Sequence, residues 1–359
     1  MRIGIITFHR AINYGAVLQS YALQQFLLKK NFDVCIIDYE NDHIKKQYKS
    51  FFVSSLSFKK IALSLLYYRT RKIKNKKFKK FRDEYLVLSN DRNIKKCNLQ
   101  YEGKKYDYII SGSDQVWNPK ATDWDDSYLL SFIDNEKKIS YAASLGTNVI
   151  DEKTKAFLKN NLEDFKSISI REIINKEDLE NLLKRDVIVN IDPVFLLTNS
   201  DWNNFNLEKN KVKQKYVFIY CLHEQNCYKY GKELAEKNNL KIVYVPNSLR
   251  VKLKGKKVTT AGVTEFLNYI KNAEYVVTDS FHVTAFSIIF RKNFFVVLKQ
   301  KKQELNFRLT NLLNKFELDS QIIYSDSDLN KKPNYNNIEY KIGLERSKAS
   351  EYFDVLRKW

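Results

Sequence analysis

The sequence contains few of the residues that interrupt or cross-link a chain. Its 359 residues include nine glycines, four prolines and four cysteines. Cys35, Cys97, Cys221 and Cys227 are scattered, and no two of them have CxxC spacing. Clustered cysteines would indicate a zinc site or a disulfide framework. We therefore expect buried thiols in a reducing compartment and no metal. The few glycines and prolines argue against long flexible linkers, and we also expect no cofactor.

Long apolar runs are also missing. No uninterrupted stretch approaches the roughly 20 residues of a membrane-spanning helix. The first residues, MRIGIITFHR, enter a strand pattern directly, without the longer apolar stretch of a signal peptide. The sequence therefore predicts a cytoplasmic protein. If the protein meets a membrane, we expect the contact to be peripheral and at the inner face.

The charge is strongly positive, with 62 Lys and Arg against 42 Asp and Glu and a formal net charge of +20. Such a charge attracts nucleic acid, anionic membranes or anionic metabolites. The basic residues are dispersed, and no helix-turn-helix, RRM or zinc-finger signature is present, which argues against nucleic acid. Hydrophobic residues make up 44% of the chain, enough for packed cores.

Short apolar runs alternate with segments of helical periodicity, which is typical of parallel α/β sheets. We predict an α/β protein of two Rossmann-like domains, over residues 1–195 and 215–345. A basic helical insertion is expected at about 50–85, and a last helix at 346–359 is expected to return to the first domain. In such folds ligands bind beyond the carboxyl ends of the strands, so we expect the site in a cleft between the domains.

Two segments of the first domain suit a hydroxylated ligand. After the first strand, Asn13 and Gly15 indicate a tight turn before a helix. Later, the stretch YDYIISGSDQVWNP runs from a strand into polar residues. There Asp114, Gln115 and Asn118 can bind hydroxyls and Trp117 can stack on a sugar ring. The alternative is an ordinary capped helix start with a buried tryptophan.

Two further segments suit an anion and proton transfer. Arg171 ends the apolar run SISIR, where a guanidinium can bind phosphate or carboxylate, although pairing with Glu172 is the alternative. In YVVTDSFHVTAFS, Asp279 and Ser280 turn the chain and His282 opens an apolar helix. A strand end, a helix N-terminus and an imidazole together indicate an anion site with a general acid. A structural histidine is the alternative. His9, His43 and His223 are weaker candidates.

Taken together, these segments resemble the polysaccharide pyruvyl transferase family. The matching pieces are ITFHRAINYGAVLQSYAL, YDYIISGSDQVWNP, ISIRE and TDSFHVTAFSIIF, in that order along most of the chain. The resemblance implies two Rossmann-like domains similar to GT-B glycosyltransferases. It also implies transfer of pyruvate from phosphoenolpyruvate, as co-substrate, to two hydroxyls of a cell-surface polysaccharide or its precursor, forming a ketal.

The resemblance also suggests roles for particular residues. It implies His282 as the general acid and Arg171 as a donor-binding residue. Our own mechanistic hypothesis adds Asp114 or Asp279, which would orient a hydroxyl or the imidazole. Arg171 is expected to bind the donor, helped by Ser280, Asp279 and Arg10. Asn13, Gly15, Gln115, Trp117 and Asn118 are expected on the acceptor side.

Two departures from the family pattern keep other functions open. Ala16 stands where an acidic residue is expected, and Ser280 where an arginine is expected. The alternatives are a nucleotide-sugar-dependent glycosyltransferase of the same fold, a non-catalytic family member and a basic nucleic-acid-binding protein. The basic segment 59–82 also fits contact with an anionic membrane carrying a lipid-linked acceptor, or a solvated helix packed on its domain.

Overall fold

The structure is a computed structural model, and it describes residues 1–49, 58–203, 205, 212, 214–222, 226–246, 251–300 and 306–358. The strands are β1 Arg2–Ile6, β2 Asp33–Ile36, β3 Tyr108–Asp114, β4 Lys138–Ala143, β5 Ser169–Ile170, β6 Ile188–Val189, β7 Tyr216–Tyr220, β8 Lys241–Val245, β9 Lys256–Lys257, β10 Tyr275–Thr278 and β11 Asn293–Val296. The helices are α1 Tyr14–Lys29, α2 Asp42–Lys49, α3 Phe58–Tyr85, α4 Leu99–Gly103, α5 Pro119–Thr122, α6 Glu152–Leu162, α7 Lys176–Leu183, α8 Asn199–Asn203, α9 Asn226–Lys237, α10 Val263–Lys271, α11 Phe281–Ile289, α12 Phe307–Lys315 and α13 Ile338–Asp354.

The chain forms two compact units, which we call unit 1 and unit 2. Unit 1 consists of residues 1–49, 82–197 and 340–359, and unit 2 of residues 50–81 and 198–339. The sequence placed the break between 195 and 215, and the units divide after Leu197.

The basic segment differs from the sequence prediction, because residues 50–81 group with unit 2 and not with the first domain. Lys77 forms an ion pair with Glu265 at 2.6 Å, and the Phe81 ring stacks on Phe205 with centroids 5.8 Å apart. Both partners belong to unit 2. Contacts between residues far apart in the sequence therefore determine which unit includes this helix.

Unit 1 is built on a six-stranded sheet with the order β2-β1-β3-β4-β5-β6, and its strand pairs are parallel. The strands β1, β3 and β4 are almost wholly buried, as expected when helices cover both faces of a parallel sheet. The core around them contains Ile6, Ile109, Trp117 and Phe165. The last helix returns to this unit, where the Tyr352 hydroxyl donates to the Ser140 carbonyl at 2.6 Å.

Unit 2 is built on a five-stranded sheet with the order β11-β10-β7-β8-β9, and its strand pairs are also parallel. Its apolar strands, such as YVFIY in β7, are buried and pack against α9. The prediction of an α/β fold with two Rossmann-like sheets is confirmed. Among the described residues, no helix has both the length and the apolar content needed to cross a membrane.

Candidate functional site

In unit 1, the strand β3 ends at a strained acidic residue. Asp114 is 6% exposed and has a φ of +67°, a left-handed conformation that costs a non-glycine residue energy. Its carboxylate accepts the Gln115 backbone N–H at 2.9 Å, and its carbonyl accepts the Ser144 N–H at 2.9 Å. The second bond ties the end of β3 to the end of β4. Strain of this kind is concentrated at functional sites, which keeps Asp114 as a catalytic candidate.

Arg171 lies at the end of β5 inside a buried ionic network. Its Nε donates to Glu172 at 2.7 Å and its Nη1 donates to Asp192 at 2.8 Å. Ser144 donates its hydroxyl to the same Glu172 carboxylate at 2.9 Å. Burial opposes the charge, yet the carboxylates of Glu172, Asp192 and Asp114 raise the pKa of Arg171 further above its usual range. The guanidinium charge is thus balanced within unit 1, and this placement does not support a direct role in binding the donor.

The predicted acceptor residues Gln115 and Asn118 lie together beside the loop that follows β4. Both are partly exposed, and the Asn118 Nδ2 donates to the Gln115 Oε1 at 3.2 Å. Gly146 faces them with a φ of +68°, and a Cβ at this position would stand 2.3 Å from the Gln115 Oε1. Glycine therefore lets the two loops approach closely. Amide groups at such a loop pair can bind hydroxyls.

Trp117 does not offer a face to a ligand. The side chain is 1% exposed, packs edge-to-face on Phe165 at 6.0 Å and donates its indole N–H to the Ser111 hydroxyl at 3.0 Å. The structure therefore places this residue in the core of unit 1, as in the alternative interpretation of the sequence. Its indole nitrogen is satisfied there, as buried tryptophans require.

Asn13 and Gly15 serve the start of α1. The exposed Asn13 is the N-cap, and its side chain accepts the N–H groups of Gly15 at 3.0 Å and Ala16 at 3.3 Å. Gly15 is buried in the first helical turn, and Gly146 is the glycine with a positive φ in the described chain. The expected tight turn at Gly15 is therefore an ordinary capped helix start, and an acceptor role for these two residues has no support in their contacts.

Arg10 belongs to a network that the sequence did not reveal. Its Nε and Nη2 donate to the two oxygens of Asp38 at 2.7 and 2.9 Å, and its Nη1 donates to Glu40 at 3.0 Å. His9 is fully buried with its Nε2 3.0 Å from the same Asp38 carboxylate. The predicted donor role of Arg10 is not supported, because two carboxylates already balance its charge.

This network controls the protonation of its members. Burial lowers the pKa of His9, although the hydrogen bond to Asp38 opposes that shift. Burial also disfavours the charged form of Asp38, but the hydrogen bonds from His9 and Arg10 outweigh it and hold the pKa of Asp38 well below its usual range. The signal that could have found this pair was the position of each residue at a strand end, just after β1 and β2.

In unit 2, the predicted donor residues follow β10. Asp279 is 4% exposed and accepts the Leu222 backbone N–H at 2.6 Å. Ser280 is the N-cap of α11, and its hydroxyl forms no capping hydrogen bond among the described residues. The first backbone bond of this helix runs from the Thr284 N–H to the Ser280 carbonyl at 3.0 Å, so the amides of 281–283 precede the helical ladder. This helix start can receive an anion.

His282 is half-buried in the first turn of α11, with its ring edge-on to Phe281 at 5.2 Å. The imidazole thus stands at the carboxyl edge of the unit 2 sheet, as predicted. His43 is partly exposed in unit 1, with its ring 3.6 Å from the Asp123 carboxylate. His223 lies outside the described residues, as do the side chains of 59–67 in the segment 59–82 considered for membrane contact.

The structure therefore brings the predicted residues together in two groups, one in each unit. Asp114, Gln115, Asn118 and Arg171 meet at the carboxyl edge of unit 1, whereas Asp279, Ser280 and His282 share a turn in unit 2. Two Rossmann-like units, each with polar residues at the carboxyl ends of its strands, define a protein of the GT-B-like fold class.

A protein-family model described as polysaccharide pyruvyl transferase matches residues 13–298 of the chain. The chain belongs to this family, which supports a general role in polysaccharide pyruvylation. Apart from Arg10 and the weaker candidate His9, the predicted site residues lie within the matched range.

Solved structures agree with the fold assignment. UDP-N-acetylglucosamine 2-epimerase from Rickettsia bellii is 10% identical with a TM-score of 0.50, over 98% of this chain and 95% of its own. The S. aureus MnaA structure with UDP is 13% identical with a TM-score of 0.51, over 98% of this chain and 88% of its own. At such identity the likeness shows the fold alone. A search of curated proteins finds no match to this sequence.

Proposed function

We propose that this protein transfers pyruvate from phosphoenolpyruvate to two hydroxyls of a sugar in a cell-surface polysaccharide or its precursor. The products are a cyclic ketal and phosphate. Family membership supports pyruvylation in general, and the donor and the ketal are our proposal. The observation that carries it is the position of His282, half-buried in the first turn of α11 and directly beyond β10. Doubly wound units bind ligands at such strand ends.

The donor is assigned to unit 2. Phosphoenolpyruvate carries a phosphate and a carboxylate, and the start of a helix attracts anions through its N–H groups and its dipole. The Ser280 hydroxyl can donate one further hydrogen bond where other members of the family are expected to have an arginine. The net charge of +20 adds a favourable long-range field.

The acceptor is assigned to unit 1. Asp114, Glu172 and Asp192 make its carboxyl edge acidic, which suits sugar hydroxyls better than a polyanionic donor. Asp114 is the candidate base, because it stands at a strained strand end and its carboxylate accepts the Gln115 backbone N–H. Arg171 is then a positioning residue that holds Glu172 and Asp192 in place.

The chemistry follows from these roles. His282 gives or relays a proton to the methylene carbon of phosphoenolpyruvate, which creates an oxocarbenium-like centre at C2. One sugar hydroxyl attacks C2 and loses its proton to a base, for which Asp114 is the candidate. The C–O bond to phosphate breaks and phosphate leaves. The second hydroxyl then attacks C2, loses its proton and closes the ketal.

The decisive variant is His282→Ala. We expect it to lose about 10²–10⁴-fold in turnover, the usual contribution of a positioned general acid. The unfolding midpoint should stay close to that of the wild type, because the ring is only partly buried. Phosphate release and the mass of the glycan product measure the reaction. His43→Ala is the matched control and should leave turnover unchanged. If His282→Ala turned over like the wild type, His282 would have no part in the mechanism.

The donor class needs its own measurement. Phosphoenolpyruvate should raise the melting temperature and release phosphate, whereas a panel of nucleotide sugars should do neither. Stabilisation and turnover with a nucleotide sugar would instead identify a glycosyltransferase. The lipid-linked acceptor stays a prediction, and so does the contact of the basic segment with an anionic membrane. Liposome flotation with and without anionic lipid tests the membrane contact.

A further inference from the structure

Three metal-binding side chains meet at the carboxyl edge of the unit 2 sheet. Cys221 follows β7, Asp279 follows β10, and Cys227 is the second residue of α9. Their two Sγ atoms and one carboxylate oxygen all lie within 4.8 Å of one another. Cys221, Cys227 and Asp279 are 1%, 0% and 4% exposed, respectively. Within the described part of the chain, this is the one group of three or more such side chains with metal-binding spacing.

The sheet explains why residues so distant in sequence converge. The strands β7 and β10 are parallel neighbours, with Tyr220 paired to Thr278 at their last register position. The next residues, Cys221 and Asp279, therefore leave the sheet side by side. The start of α9 brings Cys227 to the same place. Sequence spacing alone indicated no metal, because it cannot show a site assembled from separate strands.

We propose that Cys221, Cys227 and Asp279 form a Zn²⁺ site. Two thiolates and one carboxylate are a donor set that suits zinc, whereas magnesium and calcium prefer oxygen ligands only. Three protein ligands fill three of the four tetrahedral positions that zinc prefers, and water can take the fourth. Binding removes one proton from each thiol, so one Zn²⁺ should release two protons.

The surroundings are already arranged to hold such a site. The Leu222 backbone N–H donates to the Asp279 Oδ1 at 2.6 Å, which fixes the orientation of the carboxylate. Outer-shell hydrogen bonds of this kind orient metal ligands and strengthen binding. The two cysteines also belong to the apolar core of unit 2, which shields their sulfur atoms from bulk solvent and leaves the fourth position to a single bound water.

The test is the metal content of the purified full-length chain. After incubation with Zn²⁺ and removal of the excess, we expect about one zinc per chain. Cys221→Ser, Cys227→Ser and Asp279→Asn should each lose most of it. Cys97→Ser is the matched control, because Cys97 is an exposed thiol in unit 1 and should not affect binding. Wild-type levels of zinc in the Cys221→Ser and Cys227→Ser variants would overturn the proposal.

A second measurement needs no variant and so does not depend on how the variants fold. Co²⁺ added to the metal-free wild-type chain should give a thiolate-to-cobalt charge-transfer absorption, and Zn²⁺ should abolish it. Zn²⁺ titration should release two protons per metal and protect two thiols from an alkylating reagent. Absence of these effects, or a Cys221–Cys227 disulfide in the native mass spectrum, would exclude the site. None of these measurements involves pyruvyl transfer, so the proposed function can fail while this site stands.

Discussion

Replacing Arg171 by methionine tests whether this arginine positions carboxylates or binds the donor directly. The Arg171, Glu172 and Asp192 side chains are 3%, 4% and 0% exposed, and the two ion pairs measure 2.7 and 2.8 Å. The methionine keeps most of the volume but leaves two buried carboxylates without their cation. Breaking a buried ion pair in this way costs about 3–5 kcal/mol. For a unit of this size we expect the melting temperature to fall by roughly 6–20 °C.

The pH dependence of that loss gives an independent check. Without the guanidinium, the folded variant buries uncompensated negative charge, and proton uptake relieves that cost. The folded state then binds protons more readily than the unfolded state, so the stability of the variant increases as the pH falls. The difference from the wild type should therefore be smaller at about pH 5 than at about pH 8.

Urea unfolding at the two pH values, followed by tryptophan fluorescence, measures the loss of unfolding free energy and its pH dependence. Arg2→Met is the control, because the Arg2 side chain is 40% exposed and lies 3.8 Å from an exposed Asp33. Loss of such a surface pair costs at most about 1 kcal/mol. If Arg171→Met were as stable as the wild type and only raised the KM for phosphoenolpyruvate, our interpretation would be refuted and the donor role restored.

Two further outcomes follow from the contacts in unit 1. The pKa of Asp38 is lower in the folded state than in the unfolded state. Ionised Asp38 therefore stabilises the fold above the unfolded aspartate pKa of about 4, and this stabilisation is lost as the pH falls below that value. Asp38→Asn should flatten this acid dependence in urea midpoints, and parallel profiles would contradict the assignment. Trp117→Phe should cost about 1 kcal/mol through the lost bond to Ser111 and leave the acceptor KM unchanged. A large rise in that KM at wild-type stability would show that the ring reaches the sugar.

The sequence was sufficient to predict the fold because its signal is local. Runs such as VCII at 34–37 and YVFIY in β7 are almost wholly apolar, as strands buried on both faces must be. Helices between them complete the βα pattern. The short β9, with only Lys256 and Lys257, carries no such signal and was not predicted. The sequence did not predict that the basic segment belongs to unit 2, because this depends on contacts with residues far away in the sequence.

The site was predictable only in outline. Strand-end positions identified Asp114, Arg171 and His282, but they could not show which partners each side chain meets. Arg171 pairs with Asp192 from the end of β6, and Arg10 pairs with Asp38 from the end of β2. These pairings depend on the order of strands in the sheet. The same limit explains why Trp117 was predicted to stack on a sugar although its ring is buried. A loop has no regular period from which the direction of a side chain can be predicted.

The order of segments along the chain has a consequence for synthesis. Unit 1 is made of three pieces, and the last begins at Tyr340. Phe353 in that piece packs against Tyr141 at 4.9 Å, and Arg346 donates to the carbonyls of Phe195 and Leu197. The ribosome therefore completes the sequence of unit 2 before it adds the third piece of unit 1. Synthesis of unit 1 thus begins before that of unit 2, yet unit 1 cannot complete its packing until after unit 2 has been synthesised.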